Sequence, residues 1–247
     1  MLRRLFEHVV VLIREWIARV GEMFSKAFST ESSSAQDKFA ADRQGMTEEI
    51  AAQGVRDPHV LAAIRDVPRH LFVSWTSQRQ AYADRPLSIG HGQTISQPYI
   101  VALMTQLARP NASDRVLEVG IGSGYQTAVL SRLVSHVYAV EIIAPLARAA
   151  EKCLKKLGYG NVTVRVGDGY TGWPENAPFD IIMVAAAPDH VPAPLLAQLK
   201  AGGRLVIPVG PSAPYQELQL IEKDNAGQKT KTTVVEAVRF VPLVRPR

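Results

Sequence analysis

The stretch Val116-Leu117-Glu118-Val119-Gly120-Ile121-Gly122-Ser123-Gly124 constrains this chain more than any other. It reads as a buried strand, then a glycine-rich loop, then a helix starting near Tyr125. An α/β sheet presents backbone N–H groups to a nucleotide-like ligand in this way. A glycine has no Cβ to hold such a ligand off. A tight strand-to-helix turn with no ligand would use the same glycines. Two carboxylates sharpen the reading. Glu118 stands two residues before the first glycine. Glu141 ends the next expected strand, about twenty residues on, where a ribose-binding carboxylate belongs. The alternative for Glu141 is a plain surface charge.

The spacing also selects among ligands. A dinucleotide site prefers G-x-G-x-x-G, with the pyrophosphate at the helix N-terminus. Here Tyr125 stands where the third glycine would be, and its ring would crowd a pyrophosphate. The form E-x-G-x-G-x-G resembles motif I of class I S-adenosylmethionine-dependent methyltransferases. Their cofactor, S-adenosyl-L-methionine, has no phosphate but offers a ribose diol to a carboxylate.

The rest of the chain supplies a sheet for this loop. Strands are expected near 115–119, 136–141, 162–167, 179–185 and 203–209, with helices near 124–133, 144–157 and 192–200 between them. That alternation implies an α/β fold, a doubly wound and mostly parallel sheet. Late strands near 216–222 and 231–241 have no helical pattern between them, so the sheet should end in an antiparallel hairpin. Ahead of the sheet, helices are expected over Asp37–Gln53, over Pro58–Arg65 with Asp57 as its cap, and over Pro98–Ala108. At 247 residues and 47% hydrophobic content, the chain can bury one such domain plus an appendage.

The appendage is residues 1–36. Leu2, Leu5, Phe6, Val9, Leu12, Ile13, Trp16, Ile17, Val20, Met23 and Phe24 recur at helical spacing, with charges on the other faces. A Ser-rich linker follows, and residues 37–247 are expected to form the catalytic domain. The apolar stripe must be covered by the domain itself, by a second copy, or by a membrane surface. Disorder, or a start at Met46, are the remaining readings. No apolar run approaches the ~20 residues a membrane span needs, and no secretory signal is evident. A net charge of +5 without basic clusters interleaved with aromatics argues against nucleic acid. The single cysteine, Cys153, forms no internal disulfide and fits a reducing compartment. No His/Cys cluster has metal-ligand spacing, so no metal is expected. These points predict a cytoplasmic protein, with residues 1–28 as a candidate peripheral membrane attachment.

Two further stretches carry chemistry. Gly167-Asp168-Gly169 follows the third core strand. Its glycines leave the backbone open to a flat ring, and its carboxylate can meet an exocyclic amine, as in adenine. A plain Asp-Gly turn is the alternative. Pro86 to Tyr99 packs glycines, hydroxyls, an amide and His91 into one loop before a helix. Ser96 stands near that helix's N-terminus, where an anion is favoured. Thr94 or Ser96 as a simple helix cap is the competing reading.

P-L-S-I-G-H-G-Q-T-I-S-Q-P-Y, L-E-V-G-I-G-S-G-Y-Q-T-A, G-D-G-Y-T-G-W-P-E-N-A-P-F-D and the terminal E-A-V-R-F-V-P-L-V together resemble protein-L-isoaspartate O-methyltransferases. The resemblance runs from about Phe39 to Val244. It implies that Ser96 is the active-site serine, that Gly120, Ile121, Gly122, Ser123, Gly124, Glu141, Asp168 and Gly169 contact the cofactor, and that Ile89, Gly90, His91 and Gly92 form a loop beside it. It also implies methyl transfer to the α-carboxylate of L-isoaspartyl residues in damaged proteins and peptides. The ester can then close to a succinimide and reopen without the enzyme, which makes the reaction a repair. The N-terminal helix and linker depart from the typical bacterial member. Two other readings share some features: a class I methyltransferase for another small carboxylate or amine, and a non-catalytic membrane-tethered scaffold.

Overall fold

The computed structural model describes residues 38–211 and 214–246. The expected amphipathic helix and its linker, residues 1–36, lie outside the described residues. Residues 1–41 and 42–247 form separate units, and the features below belong to the second, apart from the first two residues of the first helix.

Helix α1 (Ala40–Ala52) and helix α2 (Pro58–Asp66) come first. α2 begins as its sequence demands. Asp57 Oδ1 accepts from His59 N at 2.9 Å and Val60 N at 3.2 Å, and Pro58 fills the first turn. Two short 3-10 turns, Arg69–Phe72 and Trp75–Gln80, lead to β1 (Leu87–Gly90) and β2 (Gln93–Ile95). This antiparallel pair lies within the stretch expected as one polar loop before a helix. His91 (φ 53°) and Gly92 (φ 70°) form its two-residue turn. Positive φ at both central positions matches the right-handed twist of the flanking strands. Helix α3 (Pro98–Ala108) then leads into the main sheet.

That sheet holds β3 (Arg115–Val119), β4 (His136–Glu141), β5 (Val162–Val166), β6 (Phe179–Val184), β7 (Leu199–Val209), β8 (Gln216–Lys223) and β9 (Thr230–Val238). The order is β5-β4-β3-β6-β7-β8-β9, parallel from β5 to β7 and antiparallel for the last two pairings. Between the strands run α4 (Tyr125–Ser131), α5 (Ala144–Lys156) and α6 (Ala193–Gln198). The doubly wound, mostly parallel fold is therefore present, and it ends in the expected antiparallel hairpin. β7 begins four residues earlier than 203, directly after α6, and β9 stops at Val238.

Both faces of the sheet are buried, which explains the continuous apolar runs. Val116, Ile181 and Val206 pack with Met104 of α3 and Leu130 of α4 on one face. Leu117, Val119, Ile182 and Leu205 pack with Leu195 of α6 on the other. Side chains alternate along a strand, so Glu118 shares the face of Val116 and points toward α4. β3 lies between β4 and β6, so the chain leaves it in opposite directions on its two sides. That is the switch point where ligands bind beyond the strand ends.

Candidate active site

The carboxyl ends of β3, β4 and β6 lie side by side, and the backbone continues the ladder past them. Gly120 N donates to Val140 O at 2.8 Å, and Ala185 N donates to Val119 O at 2.8 Å. The chain after β9 returns across these ends. Ala187 N donates to Val241 O, and Leu243 N to Ala187 O, each at 2.8 Å. A cavity results, lined by Gly120 to Ser123, Glu141, Gly169, Ala185 and Val241 to Val244.

The glycine-rich loop takes its shape from backbone angles closed to most side chains. Gly120, Gly122 and Gly124 have φ of 87°, 52° and 85°. Their surroundings differ. Gly120 and Gly122 line the cavity. A Cβ on Gly124 would instead meet Leu154 Cδ1 at 3.2 Å and Ala150 Cβ at 3.3 Å, so that glycine lets α5 pack close. Gly169 lines the cavity too, and a Cβ there would come 2.5 Å from Val119 Cγ1.

Glu141 is nearly buried and holds the loop from below. Its Oε2 accepts from Gly122 N at 3.0 Å, and its Oε1 accepts from Ile143 N at 2.9 Å. Each carboxylate oxygen accepts twice, so both retain a lone pair for ligand hydroxyls. Asp168 Oδ1 accepts from Tyr170 N at 2.9 Å and opens a 3-10 turn beside Gly169. Asp168 itself is not among the cavity-lining residues.

The hairpin β1–β2 reaches the same loop from outside. Ile89 Cδ1 lies 3.4 Å from where a Gly122 Cβ would be. Ile89 and Gly90 share an outer cleft with Gly122 and Ser123. His91 and Gly92 are exposed at the turn and line neither this cleft nor the inner cavity.

Ser96 occupies a different position. A second cavity, lined by Gln97, Tyr99, Ile100, Tyr215 and Glu236 to Val241, lies on its other side. Thr94, Ser96, Ala185 and Val241 line both cavities. Ser96 is not the helix cap. The cap position of α3 belongs to Gln97, which makes no side-chain capping bond. Tyr99 N donates to Asp84 Oδ1 at 2.8 Å instead. The capping role considered for Ser96 is thus filled by a residue twelve positions earlier.

Glu118 and the segment Val241 to Val244 are among the lining residues absent from the expected site. Glu118 is fully buried in the cavity wall, and neither of its oxygens has a hydrogen-bond partner. Burial pushes its carboxyl up to about 8, and nearby Glu141 adds to the shift. The Thr127 hydroxyl pulls the other way from outside hydrogen-bond geometry. Glu118 was visible as the first letter of the glycine motif, but its burial was not. The segment Val241 to Val244 was visible as a family-specific ending, with no sign that it roofs the cavity. Among the described residues, no group of three or more His, Cys, Asp or Glu is arranged to hold a metal. None of the described helices is long and apolar enough to cross a membrane.

Comparison with known proteins decides the family. The sequence model of the protein-L-isoaspartate(D-aspartate) O-methyltransferases (PCMT) matches residues 41–247. This chain belongs to that family. It is 54% identical over 207 residues to a protein-L-isoaspartate O-methyltransferase of Opitutus terrae, covering 83% of this chain and 88% of that one. A Syntrophobacter fumaroxidans relative, protein-L-isoaspartate O-methyltransferase 2, is 49% identical over 231 residues and covers 90% and 93%. A solved structure named protein-L-isoaspartate O-methyltransferase superposes with a TM-score of 0.74 at 31% identity; the match spans 81% of this chain and 65% of that one. A Plasmodium falciparum structure, described as a candidate enzyme of the same name in complex with S-adenosyl-L-homocysteine, gives 0.72 at 25% identity, with 83% and 99% covered.

Proposed function

We infer that this chain transfers a methyl group from S-adenosyl-L-methionine to the α-carboxylate of L-isoaspartyl residues in damaged proteins and peptides. One observation carries the reading beyond family membership: two cavities meet at Ser96. A methyl transferase needs a donor pocket and an acceptor cleft that touch at one point.

The inner cavity suits the donor. Its glycine loop exposes backbone where a nucleoside would lie, and Glu141 keeps lone pairs for a ribose diol. Gly169 leaves room for a flat ring. When bound, S-adenosylmethionine supplies a methyl group on a sulfonium sulfur. The outer cavity suits the acceptor peptide, and Ser96 at the junction is assigned to donate a hydrogen bond to its carboxylate. That carboxylate, with a pKa near ~3.5, is ionised at neutral pH. No general base is needed, and His91 at the hairpin tip lines neither cavity. The residues act by aligning the carboxylate and by excluding water under the Val241–Val244 roof. We assign Gly120, Ile121, Gly122, Ser123, Glu141 and Gly169 to cofactor contact directly. Ile89, Gly90 and Asp168 act from the rim, His91 and Gly92 shape the hairpin, and Gly124 packs the helix behind the loop.

We further propose that residues 37–247 are the catalytic module, since the family match begins at residue 41. Residues 1–36 are then an attachment whose apolar stripe meets a membrane surface or a second copy. A lone cysteine supports a cytoplasmic location.

The test is methyl transfer to an isoaspartyl peptide by Ser96→Ala, alongside calorimetric titration with S-adenosylhomocysteine. The rate should fall while S-adenosylhomocysteine affinity is kept. Full activity in the variant would remove Ser96 from the reaction.

A further inference from the structure

We propose that Arg69 and Asp84 are positioning residues that bracket Ser96 and fix its hydroxyl against the methyl-donor cavity. This rests on the assignment of Ser96 above.

The Ser96 hydroxyl makes no hydrogen bond within the described structure that would set its place, so its backbone must do so. Arg69 holds that backbone from the core side. It is completely buried, with Nη2 donating to Ser96 O at 2.7 Å and Nε donating to Ala81 O at 2.8 Å. Its guanidinium lies 4.8 Å from the centroid of the Tyr125 ring. Tyr125 is the first residue of α4, directly after Gly124, and it lines the donor cavity. One rigid side chain therefore ties the serine to the start of the helix that follows the glycine loop. Burial lowers the guanidinium to about 10, and Tyr125 and Asp84 offset part of that loss. It is still a cation at neutral pH.

Asp84 holds the other side. Its Oδ1 accepts from Tyr99 N at 2.8 Å, and its Oδ2 accepts from Gln97 Nε2 at 2.8 Å and Gln53 Nε2 at 3.1 Å. The residues immediately after Ser96 are thereby fixed to the segment before the hairpin. Burying a cation is costly unless it is hydrogen-bonded. A fold that needed only to fill the Arg69 site would do so with an apolar side chain at no such cost. The fork geometry of arginine explains the choice, because it reaches two carbonyls and a ring face from one place.

A shift of ~1 Å in a reacting group can cost about a hundredfold in rate. Asp84→Ala is therefore expected to lower kcat for an isoaspartyl peptide by about tenfold to a hundredfold. Asp84→Asn keeps an acceptor for Tyr99 N and should recover part of that loss. S-adenosylhomocysteine affinity should stay within about twofold in both, as for independent sites. Arg69→Lys should behave as Asp84→Ala does, because an ammonium cannot span both carbonyls. Asp84 is half-buried, so its variants carry the test if Arg69→Lys fails to fold.

The deciding experiment is a double-mutant cycle on kcat with Ser96→Ala and Asp84→Ala. If Asp84 acts through the serine, its cost shrinks or vanishes in the Ser96→Ala background. An undiminished cost there would overturn the proposal. So would an Asp84→Ala variant with lowered Tm and unchanged kcat, or with lost S-adenosylhomocysteine affinity. If Ser96→Ala alone leaves kcat unchanged, the assignment of Ser96 fails and the bracket fails with it. If Ser96→Ala is slow but the Asp84 and Arg69 variants are fast, the bracket fails alone.

Discussion

Glu118 and Glu141 are buried carboxylates at neighbouring strand ends, yet they are held in opposite ways. Glu141 accepts two backbone N–H bonds that organise the glycine loop. Glu141→Ala should weaken S-adenosylhomocysteine binding by about 1.5–3 kcal/mol, the scale of a lost charge-assisted hydrogen bond, as read by calorimetry. Unchanged affinity in a folded variant would take Glu141 out of the site. Glu118 has no such bonds, and its carboxyl is raised from an ordinary 4.5 to about 8. Below pH 4.5 it is protonated whether the chain is folded or not. Between 4.5 and 8 the unfolded chain has lost the proton that the folded chain keeps, so native stability falls as pH rises. Above 8 both states are ionised and the full penalty remains. Glu118→Gln should therefore raise Tm, with a gain that is small near pH ~5 and largest above pH ~8. A gain independent of pH would contradict the assignment. Gly169→Ala puts a methyl group 2.5 Å from Val119 Cγ1 and should lower both stability and cofactor affinity. The contrast also marks how far single residues could be read. The place of Glu141 followed from strand spacing, because a twenty-residue step leads to the next parallel strand end. The full desolvation of Glu118, with no hydrogen-bond partner, comes from the packing of α4 over its face of β3, a contact between elements that neighbouring letters do not encode.

At the scale of elements, the strands and helices with a clear period and a clear start were legible nearly to the residue. β3, β4 and α3 match their expected bounds because a buried strand is an unbroken apolar run and Pro98 marks the helix start. α2 was legible through its cap. Asp57→Ala should cost about 1 kcal/mol of stability, seen as a lowered Tm, and leave methyl transfer intact. A loss of activity with unchanged Tm would mean that α2 does more than support the fold. The pairing of β1 with β2 was hidden because its turn, His91-Gly92, lacks the usual Asn-Gly or Asp-Gly signal, although a glycine is present. The roof over the cavity was hidden for another reason. It forms from a long-range backbone pairing of Val241 and Leu243 with Ala187, which no local pattern announces. The partner of Ser96 was hidden likewise. The sequence places a serine before a helix, and only the fold reveals that Asp84 supplies the cap and leaves the serine uncommitted.

For the whole molecule, the unit of residues 42–247 builds the site, and every residue assigned to cofactor, substrate or positioning lies at or beyond residue 69. Deleting residues 1–36 should therefore spare S-adenosylhomocysteine affinity and methyl transfer while changing vesicle co-sedimentation or self-association. Lost cofactor binding after the deletion would contradict the modular division. The central claim is that the two cavities sharing Ser96 serve one reaction on one kind of damaged residue. Its most direct test is transfer of a radiolabelled methyl group from S-adenosylmethionine to a peptide containing L-isoaspartate, set against the same peptide containing L-aspartate. The account predicts base-labile label on the isoaspartyl peptide and none above background on its twin. Equal labelling of both peptides, or of neither by a folded protein that binds the cofactor, would contradict it.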